Sequence, residues 1–230
     1  MSIVRFPRSL RDNALSLFFF VIFVLALIGQ SIAGFLRNNE ELAQHGMPEQ
    51  GYLSFVFSSD FIVDVAENWQ SEFLQFLLFI AATVWLVQRG SPESKKPGDE
   101  GVGTDEDQKV GRHAPADAPK WARVSGWRRV VYENSLVIVM GAIFALSWLM
   151  QSLSGTVVMN QENAEHGTAP VTWGEYVVSP EFWDRTLQNW QSEFLAVGTM
   201  VAFSIFLRQR SSAEAKPVGA PHTESAEESQ

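Results

Sequence analysis

The chain has 230 residues, 46% of them hydrophobic and 19% charged, with a formal net charge of −9 and no cysteine. The missing cysteine excludes disulfides, thiol catalysis and cysteine-based metal sites, and the acidic balance argues against nucleic acid as a partner. A mean hydropathy of −0.01 conceals very apolar windows averaged against very polar ones, in a length that bounds one or two domains.

In chain order, Arg5, Arg8 and Arg11 precede a first apolar window at 13–36. A basic start, an apolar run and Ser31-Ile32-Ala33 also fit a cleaved secretory signal. The same kind of segment recurs in mid-chain, where cleavage would serve no purpose, so the window reads as a membrane span. Three more windows follow at 69–88, 134–153 and 190–207. About 30 Å of hydrocarbon takes about 20 apolar residues, and backbone groups in lipid must pair internally, so all four should be helices.

The windows belong to a repeat. An offset of 121 carries Asn13 onto Asn134, Gln30-Ser31 onto Gln151-Ser152, Gly34 onto Gly155 and His45-Gly46 onto His166-Gly167. It also carries Asn68-Trp69-Gln70-Ser71-Glu72-Phe73-Leu74 onto 189–195 unchanged, and Gln88-Arg89 onto Gln209-Arg210, without a gap. The organisation expected is a two-helix membrane unit at 1–90, a disordered cytoplasmic linker at 91–120, a second two-helix unit at 121–212 and a disordered cytoplasmic tail at 213–230. Linker and tail are too poor in large apolar residues to offset chain entropy. The fold class is thus an all-α membrane protein, with four transmembrane helices from a tandem duplication and short outer interfacial helices. The two units are expected to pack as one bundle.

Fifteen of the 17 Lys and Arg fall in the N-terminus, linker and tail, and only Arg37 and Arg185 in the two loops opposite. By the positive-inside rule the chain is a multi-pass protein of the inner (cytoplasmic) membrane with both termini cytoplasmic. Two spans per unit then make the units parallel repeats.

Ser179-Pro180-Glu181 combines an N-cap serine, a first-turn proline and a first-turn acid, so the last helix should start well outside the apolar layer; Ser58 or Ser59 should start its counterpart. Gln30, Asn68 and Glu72, with Gln151, Asn189 and Glu193, then form a polar layer near the outer edge of the hydrocarbon. An ionisable group at that depth is costly, so both glutamates should turn inward, within reach of Gln30, Gln151, Asn68 or Asn189. Helix-to-helix hydrogen bonding explains such a layer without further activity; transport or proton relay, and snorkelling to the interface, are the alternatives. His45 and His166 sit four residues after Glu41 and Glu162, a spacing that can ligate metal on a helix. The competing reading of each is a helix-ending His-Gly, and no metal or other cofactor is expected.

No phosphate-binding glycine loop, G-x-S-x-G or H-E-x-x-H occurs, so nothing points to an enzyme. The duplicated N-W-Q-S-E-F-L element, with Glu41…His45-Gly46 and Gln88-Arg89-Gly90-Ser91, resembles a family of uncharacterised bacterial integral membrane proteins, a domain of unknown function whose hallmark is a duplicated N-W-[EQ]-S-E-F-L. The second copy departs from the first at Gln188 for Glu67 and Ala196 for Gln75, so the two units need not be equivalent. The resemblance implies a four-helix membrane protein and no activity. The function expected is structural or interaction-forming, with membrane lipids, a second copy or another membrane protein as partners. A small transporter or proton pathway through Glu72 and Glu193 is the second reading, and a metal-binding or enzymatic outer face on His45 and His166 the third.

Overall fold

A computed structural model of the chain describes residues 8–225, so Arg5 and residues 226–230 of the expected tail lie outside the described residues. Among the described residues there are eight α-helices, two short 3-10 helices and no strand. The α-helices are α1 (Arg8–Asp12), α2 (Ala14–Gln44), α3 (Tyr52–Val56), α4 (Ser59–Trp85), α5 (Trp127–Glu133), α6 (Ser135–Glu165), α7 (Trp173–Val177) and α8 (Pro180–Phe203). The chain divides into two compact units, Met1–Ile62 and Val63–Gln230, with the division inside α4.

Two helices, α2 and α6, are long and apolar enough to cross a membrane. Each has 31 residues, about 46 Å at 1.5 Å per residue, and so outruns about 30 Å of hydrocarbon. The other two windows also fold as helices, of 27 and 24 residues, but their first halves are polar. Asp60, Asp64, Glu67 and Glu72 lie in α4, and Glu181, Asp184, Arg185 and Glu193 in α8.

In the first unit, α3 packs on the C-terminal half of α2. Ser31 donates its hydroxyl to the Ile28 carbonyl at 2.8 Å, so its oxygen accepts from the Tyr52 hydroxyl at 2.7 Å. Phe35 meets Tyr52 and Phe55, and Phe55 meets Phe61, with ring centroids 5.5 to 6.2 Å apart. Gly34 makes this possible, because a Cβ there would stand 2.9 Å from the Phe55 ring. The Asn39 side chain closes the loop by accepting from the Gln50 N–H at 2.8 Å and donating to the Gln50 carbonyl at 3.0 Å.

In the second unit, the C-terminal half of α6 meets α7 through the same kinds of residue. Ser152 donates to the Leu149 carbonyl at 2.8 Å and accepts from the Trp173 indole at 3.0 Å. A Cβ on Gly155 would run into the Tyr176 ring and hydroxyl. Asn160 accepts from the Val171 N–H at 2.7 Å and donates to its carbonyl at 3.0 Å. Tyr176, Phe182, Trp183 and Trp148 form a continuous aromatic cluster, in which Tyr176 and Phe182 are almost fully buried. At the start of α8, Ser179 caps the Phe182 N–H at 3.3 Å and Pro180 takes the first helical position, as the sequence predicts.

Both α4 and α8 end before the last residues of their apolar windows, at Trp85 and Phe203, where cationic side chains collect the carbonyls that helix ends leave over. Lys95 reaches the Val84 and Gly101 carbonyls, and Arg208 those of Ser204, Ile205 and Leu207. The two segments that follow these helices meet: Ser91 donates to Ser204 at 3.3 Å, the Gly90 N–H donates to Ser225 at 3.2 Å, and Glu93 faces Glu214.

Replacing Gly155 by Val should displace Tyr176 and destabilise the protein by about 1–3 kcal/mol, the usual range for an overfilled site. Gly198, with open space around it, is the control. A melting temperature for Gly155→Val no lower than for Gly198→Val would show that the close approach carries no stability.

Burial pushes the Glu93 carboxyl up to about 7, and the hydrogen bond and charge of Glu214 add to it. With the folded value above the ordinary one, the group's stabilising contribution is complete below about pH 4.5 and is lost as pH rises through about 7. Proteolysis near residue 93 should therefore speed up between about pH 5 and about pH 8, and Glu93→Gln should remove that dependence.

Candidate functional site

A polar constellation joins the N-terminal half of α4 to α8. Arg185 points its Nε and Nη2 at one oxygen of Glu67, at 2.9 and 2.8 Å, and Nη2 also donates to Asp64 at 3.3 Å. The second Glu67 oxygen accepts from the Asn189 amide at 2.7 Å. Both oxygens of Glu67 are engaged, with only 12% of its side chain exposed. Burial pushes the Glu67 carboxyl above its ordinary range, while Arg185 and Asn189 pull it back. A carboxylate bonded at both oxygens, one by a guanidinium and the other by an amide, is placed to fix the position of α4 against α8.

One turn further along, the Trp190 indole donates to the Gln70 side-chain oxygen at 2.9 Å. From α6, Gln151 donates to Thr186 at 3.3 Å. Thr186 and Trp190 are four apart on α8, so they share a face, and Gln70, Gln151 and Thr186 are fully buried. The Gln70 amide nitrogen, the Gln151 amide oxygen and the Trp148 indole nitrogen lack a hydrogen-bond partner there. Between α4, α6 and α8 uncharged polar groups are thus buried beside apolar ones such as Leu74 and Phe182, and the charged groups stand nearer the N-terminal ends of α4 and α8.

The residues singled out in the sequence are distributed unevenly over this arrangement. Gln151 and Asn189 take part, as described. Asn68 is exposed and returns its amide to the Asp64 carbonyl of its own helix at 2.7 Å. Glu72 is exposed and Glu193 half-buried, whereas Gln70 and Ser71 beside Glu72 are the buried members of that stretch. An amide costs far less to desolvate than a carboxylate, so α4 turns its glutamine inward. Gln30 is exposed on α2 in the first unit.

His45 donates its Nδ1 proton to the Glu41 carbonyl, and His166 to that of Glu162, each at 2.8 Å. A carbonyl can only accept, so these bonds fix the tautomer. The next residues, Gly46 and Gly167, have φ of 68° and 67°, the left-handed geometry that ends a helix. Among the described residues no group of three or more His, Asp or Glu is placed to hold a metal.

Sequence reasoning missed Asp64, Glu67, Gln70, Arg185 and Thr186. One signal was present: Asp64 and Arg185 are 121 residues apart, at matching positions with opposite charge.

The chain belongs to the family described as a domain of unknown function (DUF6766), whose model matches residues 6–227. No curated protein matches the chain, and no solved structure does.

Arg185→Leu should destabilise the protein by about 1–3 kcal/mol, because it strips a charged partner from two carboxylates that are partly out of water. Adding Glu67→Gln should recover part of the loss, since an amide can still accept from Asn189. Additive effects of the two substitutions would show that the pair is not coupled.

Proposed function

We propose that this member of an uncharacterised family is a multi-pass membrane protein that crosses the bilayer four times and acts without enzymatic chemistry, as a structural or interaction-forming helical scaffold. The observation that carries this reading is the Arg185–Glu67–Asp64–Asn189 network, in which a guanidinium and an amide of α8 hold two carboxylates of α4. Support for the membrane comes from the outward faces of the helices: Phe18, Phe19, Phe20 and Leu25 on α2, Phe76 and Leu78 on α4, and Leu195 and Phe203 on α8 are all exposed. Contiguous apolar surface of this kind suits lipid and not water.

Duplication is supported by element boundaries. Adding 121 to the limits of α2 (14 and 44) gives those of α6 (135 and 165), and adding it to the limits of α3 (52 and 56) gives those of α7 (173 and 177). α8 likewise begins 121 residues after α4. The distribution of Lys and Arg favours cytoplasmic termini and an inner-membrane location.

A small proton or ion pathway is the second reading, and one observation favours it. Glu193, half-buried on α8, has the carboxyl of Glu72 on α4 as a charged neighbour, and ionisable groups in membrane helices mark proton and ion pathways.

Reporter fusions at Gly98 and at Gly46 should report opposite sides of the membrane, and equal signals would overturn the four-span topology. Under the scaffold reading, Glu72→Gln/Glu193→Gln leaves the protein's stability in detergent and the growth of its host under acid, metal and osmotic stress unchanged. Loss of growth or of proton flux with the fold intact would establish the pathway in its place.

A further inference from the structure

The stretch just before α6 reverses the charge of the chain as a whole. Between residues 109 and 129 stand Lys109, Arg112, Lys120, Arg123, Arg128 and Arg129 against the single acid Asp117, in a protein of net charge −9. The structure gathers Arg112, Arg123, Arg128 and Arg129 with Trp127 around one open hollow of about 700 Å³. Arg129 is already paired, with Asp105 at 2.7 Å and Glu133 at 2.8 Å. Arg112, Arg123 and Arg128 have no carboxylate partner among the described residues: Arg112 donates to His113, Arg123 to the Ala116 carbonyl, and Arg128 lies 5.6 Å from the centre of the Trp127 ring.

Apolar side chains accompany these cations. Trp127 is 67% exposed and Trp121 42%, with Val124 and Val130 exposed beside them. α5 runs through the single residue Asn134 into α6, one of the two helices apolar enough to span a membrane. Guanidinium groups beside exposed indoles, at the mouth of an apolar helix, match a bilayer interface. The indole rings sit at headgroup level, and Arg forks bind phosphate oxygens in pairs.

We propose that this hollow seats the headgroup phosphate of an anionic phospholipid in the cytoplasmic leaflet. The proposal rests on the membrane reading given above. A juxtamembrane Lys or Arg near an anionic leaflet is worth about 1 kcal/mol, so two of the unpaired arginines together correspond to an affinity difference of about 20- to 30-fold.

The test uses the full-length protein in mild detergent, offered phosphatidylglycerol or phosphatidylcholine, with bound lipid counted by native mass spectrometry. The wild type should retain phosphatidylglycerol well above phosphatidylcholine and release it as salt rises. Arg123→Gln/Arg128→Gln should bring retention of the two lipids about level without lowering the melting temperature, while Arg123→Lys/Arg128→Lys, which keeps the charge, should retain most of the preference. Equal retention of both lipids by the wild type, or an unchanged preference in the glutamine variant, would overturn the proposal. Displacement of phosphatidylglycerol by millimolar inorganic phosphate would also overturn it, by marking a site for free anions. Nucleic acid retained in preference to lipid would count against it as well. Carbonate washing of membranes separates the two levels: a chain released by it fails the membrane reading, and one that stays without lipid preference fails this inference alone.

Discussion

Arg185 stands between Glu67 and Asp64 of another helix, and the position of α8 against α4 follows from that contact. A lone guanidinium or carboxylate drawn partly out of water is expensive, and the Coulomb attraction between them compensates only when the geometry is good. Two N–H groups on one oxygen and an amide on the other meet that condition. Such a pair adds little stability over an apolar contact of the same shape, but it tolerates no slip: a shift of one residue along either helix would separate the partners and leave both charges stranded. Once α4 and α8 are in register, Trp190 meets Gln70, and the Thr186 face of α8 is presented to Gln151 on α6.

The packing of α3 on α2 and of α7 on α6 depends on a different constraint, closeness. Gly34 and Gly155 let an aromatic ring from a five-residue helix lie against a 31-residue one. A helix of five residues cannot hold itself together. It persists because its ring fills the glycine notch, a serine on the long helix binds its first residue, and an asparagine clamps the preceding loop at both its N–H and its carbonyl. Small and polar residues along α2 and α6 thus act as sockets, in helices whose other side chains are mostly apolar.

Sequence made part of this legible. Four helical windows, the Ser179-Pro180 start and the His-Gly ends follow from local chemistry, and the structure has a helix or a helix end at each. Helix rotation did not follow, because Gln70 and Glu72 lie two residues apart in one run of polar side chains, and only the greater cost of burying a carboxylate separates them. The polar layer was an expectation about levels along the helices, and which of its residues meet a neighbour was not legible: Gln151 and Asn189 reach another helix, whereas Asn68 and Glu72 are exposed. Asn39 and Asn160 gave no signal, since a clamp spanning eleven positions has no local pattern. Arg185 entered only as a charge outside the basic side, although its match with Asp64 across the offset was visible. Helix ends were misjudged by three or four residues at Trp85 and Phe203, where cationic side chains from downstream replace the missing helical bonds.

Asp64 and Arg185 hold corresponding places in the two helices, and so do Glu67 and Gln188. An assembly of two α4-type helices would set aspartate against aspartate, and one of two α8-type helices would set arginine against arginine. Only one helix of each kind gives opposite charges. Carrying both on a single polypeptide therefore guarantees the composition of the pair at the moment of synthesis, and neither half is free to serve as its own mate.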